Sequence, residues 1–266
     1  MPSHHHLSAL SLISYLLFFC SSVTQISSSA LSPASPPDSS DKVRLGIYYE
    51  SLCPDSSNFV VNYLIKIFEN GLISVVDLRL VPWGNAKILA NNTFDCQHGP
   101  MECVLNTIEA CAISVWPDLN KHFSFIYCVE TLVYELNFAE WETCFDKLSL
   151  DSTPIYECYN SGYGTELELQ YAGETNTLQP PHDSVPWVVV DGQPLYDDYE
   201  NFISYICEAY KGATLPYACS DTSLNTIQKT KQSNIGPVEE ATKSLSSKIR
   251  SALTSWLDQA DSAVSW

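Results

Sequence analysis

Positive charge is scarce in this chain. Only 13 Lys and Arg stand against 31 Asp and Glu in 266 residues, a formal net charge of -18. Such a surface repels phosphate backbones and anionic lipid heads, so nucleic-acid binding is excluded first. No apolar run reaches the ~20 residues that a membrane span needs, so no transmembrane segment is expected in the mature chain. Internal repeats are also lacking, which excludes a repeat architecture. A disordered chain is excluded from the other side, because 45% of the residues are hydrophobic and 12% aromatic, enough to bury a core.

Cysteine is abundant. Ten cysteines are unusual for a cytosolic protein, and the N-terminus offers the reason. After a polar start through His4, His5 and His6, residues 7–20 form a short apolar run, and small residues follow up to Ala30. This is the pattern of a secretory signal peptide over 1–30. Removing it takes Cys20 away and leaves nine cysteines, an odd number, so at least one thiol is expected to be free or paired outside the chain. Asn91-Asn92-Thr93 is an N-glycosylation acceptor in keeping with that route.

A serine- and proline-rich linker over 31–41 precedes a strand over 42–49. Apolar residues at helical spacing predict a helix over 54–70, stopped by Gly71, and a second strand follows over 72–81. Strand, helix, strand in this span makes a βαβ unit with parallel pairing. The cysteine-rich middle, about 82–164, is expected to be helical, with helices at 100–115, 121–134 and 140–148 and a further one at 166–178. A strand over 186–190, a turn at Asp191-Gly192, a return over 193–196 and a helix over 198–211 complete a domain spanning 42–220. The fold class expected is α/β with one mixed sheet. The tail, 221–266, is richer in lysine and carries an apolar stripe (Val238, Ala241, Leu245, Ile249, Leu253, Trp256), the mark of an amphipathic helix in a segment that could be a propeptide.

Cys53 stands where the first strand hands over to the first helix, with Pro54 suited to the opening helical position. A thiol at that N-cap faces free N–H groups, and a lowered pKa is expected from the helix dipole, with Asp55 opposing it. Three residues on, where a two-thiol oxidoreductase has its second cysteine, the chain has Ser56, which can hydrogen-bond the sulfur but cannot attack a mixed disulfide. Cys96, His98, Cys103 and Cys111 form a second cluster. Its spacing is not that of common zinc modules, and an oxidising compartment favours disulfides, so neither metal nor cofactor is expected. His98 reads as a packing or hydrogen-bonding residue. Pro186 opens a strand, where a cis peptide would turn the chain sharply and expose the backbone of Val185.

The stretch from Cys96 to Cys111 contains Cys96, Gln97, His98, Gly99, Glu102, Cys103, Asn106 and Cys111. It matches every fixed position of CQHG-x2-EC-x2-N-x4-C, the signature of the gamma-interferon-responsive lysosomal thiol reductases. The chain resembles that family from about residue 43 to 219, including the Tyr-Tyr-Glu-Ser-Leu lead-in to Cys53 and the block from Val185 to Gly192. The resemblance implies a thioredoxin-like fold with a cysteine-rich helical insertion, and reduction of protein disulfides in acidic endolysosomal compartments. Of the family's Cys-x-x-Cys site, the first cysteine maps onto Cys53 and the second onto Ser56. The expected activity is thiol–disulfide exchange on protein disulfides through Cys53 alone, in a secreted, lysosomal or vacuolar protein. Val185 and Pro186 would present an extended substrate, and glutathione, cysteine or a substrate thiol would resolve the mixed disulfide. The other eight mature cysteines could form four bridges, in any of about 105 pairings. A redox-inactive module that only holds extended polypeptides is the alternative.

Overall fold

The computed structural model describes residues 42–220. The expected signal peptide, the whole linker over 31–41 and the tail with its amphipathic stripe lie outside the described residues.

Alternation sets the first strand, β1 (Val43–Tyr49): Val43, Leu45, Ile47 and Tyr49 are all buried, and the residues between them are more exposed. Cys53 then starts α1 (Pro54–Phe59), with Pro54 at the first helical position and extended backbone at Cys53 itself. The helix continues, but not as one regular α-helix. A π turn over Val60–Leu64 interrupts it before α2 (Lys66–Glu69), so the uniform helix expected over 54–70 is corrected. Gly71, at φ 75°, closes this run in the left-handed region that glycine enters freely. Residues Leu72–Val75 form a 3-10 turn, so the second strand, β2 (Val76–Pro82), begins four residues later than the expected 72.

β1 is central in a four-stranded sheet ordered β2-β1-β5-β6, where β5 is Trp187–Val190 and β6 is Gln193–Pro194. It pairs in parallel with β2 (Leu45 with Leu78) and antiparallel with β5 (Ile47 with Val188), which confirms the mixed sheet. A two-stranded ribbon, β3 (Lys87–Ile88) with β4 (Phe94–Asp95), was not foreseen, because two-residue strands carry no periodicity. The helical segment comprises α3 (Pro100–Val115), α4 (Leu119–Tyr134), α5 (Thr143–Lys147), α6 (Thr153–Asn160) and α7 (Tyr163–Asn176). It therefore runs on past the expected limit at 164. Helix α6 is an addition to the sequence reading. Gly162, at φ 85°, separates it from α7. After the sheet, a 3-10 turn over Tyr196–Asn201 leads into α8 (Phe202–Ala209).

Two apolar clusters result. One surrounds the sheet and joins Leu45, Ile47, Phe59, Leu64, Val188 and Phe202. The other lies within the helical segment around Leu105, Ile108, Phe125, Trp141, Phe145 and Ile155. Four disulfides close the described cysteines except one: Cys96–Cys103, Cys111–Cys158, Cys128–Cys144 and Cys207–Cys219.

Candidate active site

The exception is Cys53, the one free cysteine among the described residues. Its N–H donates to the Glu50 carbonyl and its own carbonyl accepts from Ser57 N–H, so the thiol sits on a tight strand-to-helix turn. The Val185–Pro186 peptide is cis, and the Val185 carbonyl oxygen lies 3.9 Å from Cys53 Sγ, within reach of an S–H donor. Two segments 132 residues apart in sequence thus meet at the sulfur.

Burial dominates the thiol's acidity. Cys53 is only 6% exposed, and desolvation pushes its pKa up, with the Glu50 charge adding to the rise. The N–H and hydroxyl of Ser56 and the N–H of Asp55 favour the anion but do not outweigh burial. The lowered pKa expected from the helix start is therefore overturned. Ser56 is itself buried, and its hydroxyl faces the sulfur without forming the well-aligned hydrogen bond foreseen from sequence.

The signature residues form the frame behind this turn. Asn106 Oδ1 accepts from the buried Ser51 N–H at 3.0 Å, and Ser51 Oγ donates to the Glu102 carbonyl at 3.2 Å, which fastens the lead-in loop to α3. Gln97 Oε1 accepts from Asn85 Nδ2 at 2.9 Å. Gly99 holds φ 93° just before α3, where a side chain would be strained. The Cys96–Cys103 bridge closes the same loop, and Cys111–Cys158 ties α3 to α6. With Cys96, Cys103 and Cys111 all bridged, that cluster offers no thiolate to a metal.

His98 turns towards the thiol. Its Nδ1 lies 2.5 Å from Glu102 Oε2 and 3.2 Å from Glu50 Oε2. Glu50 was not singled out from sequence, yet it is fully buried beside Cys53, and burial raises its pKa. Its Oε1 accepts from Asn85 N–H at 2.6 Å. Gly84 makes room for it, since a Cβ there would collide with the Glu50 side chain. The available signal was an acidic residue in the lead-in to Cys53, immediately after an otherwise apolar strand end. Asn91 is exposed on a turn over Ala90–Asn92, at φ 61°.

Comparison with known proteins agrees with this geometry. A family model described as Gamma interferon inducible lysosomal thiol reductase (GILT) matches residues 44–148. "Gamma-interferon-responsive lysosomal thiol protein" of Arabidopsis thaliana is 45% identical over 188 residues, covering 69% of this chain and 78% of that protein. "Gamma-interferon-inducible lysosomal thiol reductase" of Mus musculus is 36% identical over 197 residues, covering 71% and 74%. Among solved structures, the reduced form of the disulfide bond oxidoreductase DsbG from Mycobacterium tuberculosis superposes with a TM-score of 0.51 at 15% identity. That match covers 73% of this chain and 88% of the other, and it shows the thioredoxin-like fold alone. Among the described residues no helix is long and apolar enough to cross a membrane. Sequence, frame and thiol converge: the chain belongs to the gamma-interferon-inducible lysosomal thiol reductase family and is a thiol–disulfide oxidoreductase.

Proposed function

We propose that this protein exchanges protein disulfides through Cys53 alone, within the secretory route and its lysosomal or vacuolar end, as a glycoprotein carrying sugar on Asn91. The observation that supports it most is the isolation of the thiol. Cys53 is free, the other described cysteines are bridged, and Ser56 occupies the place of a resolving cysteine.

The Cys53 thiolate attacks one sulfur of a substrate disulfide. A Cys53–substrate bond forms, the substrate S–S bond breaks, and one substrate thiolate leaves. A second thiolate, from glutathione, cysteine or the substrate itself, then attacks the mixed disulfide and returns Cys53. With a substrate thiol the net result is isomerisation. With glutathione or cysteine, two equivalents are oxidised as the substrate is reduced. The backbone of Val185, held beside the sulfur by the Pro186 turn, is where an extended substrate would align. Because burial raises the thiol's pKa, the thiolate is scarce until a substrate or a rising pH promotes it.

Turnover of a protein disulfide with and without glutathione tests the reading. Wild type is expected to need the added thiol, Ser56→Cys to need it less, and Cys53→Ser to be inactive in either condition. Wild-type turnover with no external thiol overturns the single-thiol mechanism.

A further inference from the structure

One carboxylate oxygen of Glu50, Cys53 Sγ and one ring nitrogen of His98 all lie within 4.8 Å of one another. These are oxygen, sulfur and nitrogen donors, a combination that suits zinc(II) with one position left open. The site is built rather than incidental. Glu50 is fully buried and its Oε2 accepts no hydrogen bond of good geometry, lying 3.2 Å from His98 Nδ1. Its other oxygen is committed to Asn85 N–H, which fixes the carboxylate's direction. Glu102, also fully buried, holds His98 Nδ1 at 2.5 Å. The same ring nitrogen faces Glu50 Oε2 at 3.2 Å, so Glu102 fixes the position of the ring beside the Glu50 carboxylate. The loop carrying Glu50 and Cys53 is in turn fastened to α3 through Ser51 and Asn106.

We propose that Glu50, Cys53 and His98 form a zinc(II) site that caps the free thiol. Binding exchanges the thiol proton for the metal: the Cys53 S–H bond breaks, an S–Zn bond forms, the proton passes to solvent, and no sulfur is oxidised. The site itself requires only that Cys53 be free. Its consequence, a reversible block of disulfide exchange, rests on the function proposed above. The grouping of Cys96, His98, Cys103 and Cys111 in sequence was the wrong set for a metal, but His98 belongs to this one.

Zinc chloride is titrated against the full chain with its four disulfides intact, in competition with a chromogenic chelator, and Cys53 alkylation by iodoacetamide is timed with and without zinc. One zinc per chain is expected, with alkylation slowed at least about tenfold relative to the metal-free rate of the same protein. Glu102→Gln is expected to weaken binding about 10–100-fold. His98→Ala, a change at the exposed side of the site, and Glu50→Gln should lose the protection. Cobalt(II) should show a thiolate-to-metal charge-transfer band that Cys53→Ser abolishes. Unchanged alkylation with zinc, or equal protection in wild type and His98→Ala, overturns the proposal. Zinc binding with turnover that ignores Cys53 would remove the exchange reading and keep the metal site. The reverse pattern would do the opposite.

Discussion

Around the sheet, Leu45, Ile47, Phe59 and Val188 bury against other apolar side chains, and one disulfide, Cys207–Cys219, lies at the margin. The helical segment buries Leu105, Phe125, Trp141 and Phe145 in the same manner, but it also holds three disulfides and, besides Glu102, three more buried glutamates. Glu109 on α3 accepts from Tyr49 Oη at 2.6 Å. Its other oxygen, both oxygens of Glu130 on α4 and one of Glu168 on α7 make no well-formed hydrogen bond. Burial raises the pKa of all three, and the Glu109 charge raises that of Glu130 and Glu168 further. Both halves are held by apolar burial, and the helical half adds covalent ties and buried carboxyls whose protonated form burial favours. An uncharged carboxyl can donate as well as accept, and it avoids the cost of a buried charge where no solvent reaches.

The sharpest break of that contrast is in the sheet. Ile47→Ala is expected to cost about 2–5 kcal/mol, because it opens a cavity in a fully buried position. Chemical denaturation should find that loss equal at acidic and neutral pH. Next comes the covalent tie. Removing Cys111–Cys158 as a double alanine variant frees a 47-residue separation and should cost roughly 4 kcal/mol by loop entropy. Removing Cys207–Cys219, with a separation of 12, should cost roughly 1 kcal/mol less. Equal losses would erase the distinction between the halves.

The carboxyls add a pH dependence. Their folded pKa values lie above the ordinary 4.5, so the fold holds these protons more tightly than the unfolded chain does. That stabilisation is complete below 4.5 and is lost as pH rises through the raised values. Thermal unfolding should therefore fall in midpoint from about pH 5 to about pH 8, by about 2–4 °C for each kcal/mol lost. Glu130→Gln should flatten the slope, since an amide fits the site without titrating. A slope unchanged by Glu130→Gln would assign the pH dependence elsewhere.

Legibility in the sequence followed apolar patterning rather than either half of the molecule. Strand β1 and helix α3 were readable to within a residue, because alternation and helical spacing report apolar burial directly. The odd cysteine count pointed to one free thiol, and the helix-start position pointed to Cys53. What escaped was whatever depends on tertiary burial. The thiol's raised pKa, the role of Glu50 and the protonated glutamates all follow from solvent excluded by distant segments. A glutamate on a helix reads as solvated until another helix packs over it. The π turn after α1 and the ribbon β3–β4 left no periodic trace.

The central claim is that Cys53 acts without a partner thiol. Its most direct test is single-turnover trapping with a protein disulfide, no external thiol, rapid acid quench and mass analysis of the Cys53 peptide. Wild type is expected to accumulate the Cys53–substrate mixed disulfide, and Ser56→Cys to clear it into an internal disulfide between Cys53 and the introduced thiol. Wild type that releases fully reduced substrate without accumulating the adduct would contradict it, and so would a Cys53 bonded to any other cysteine of its own chain.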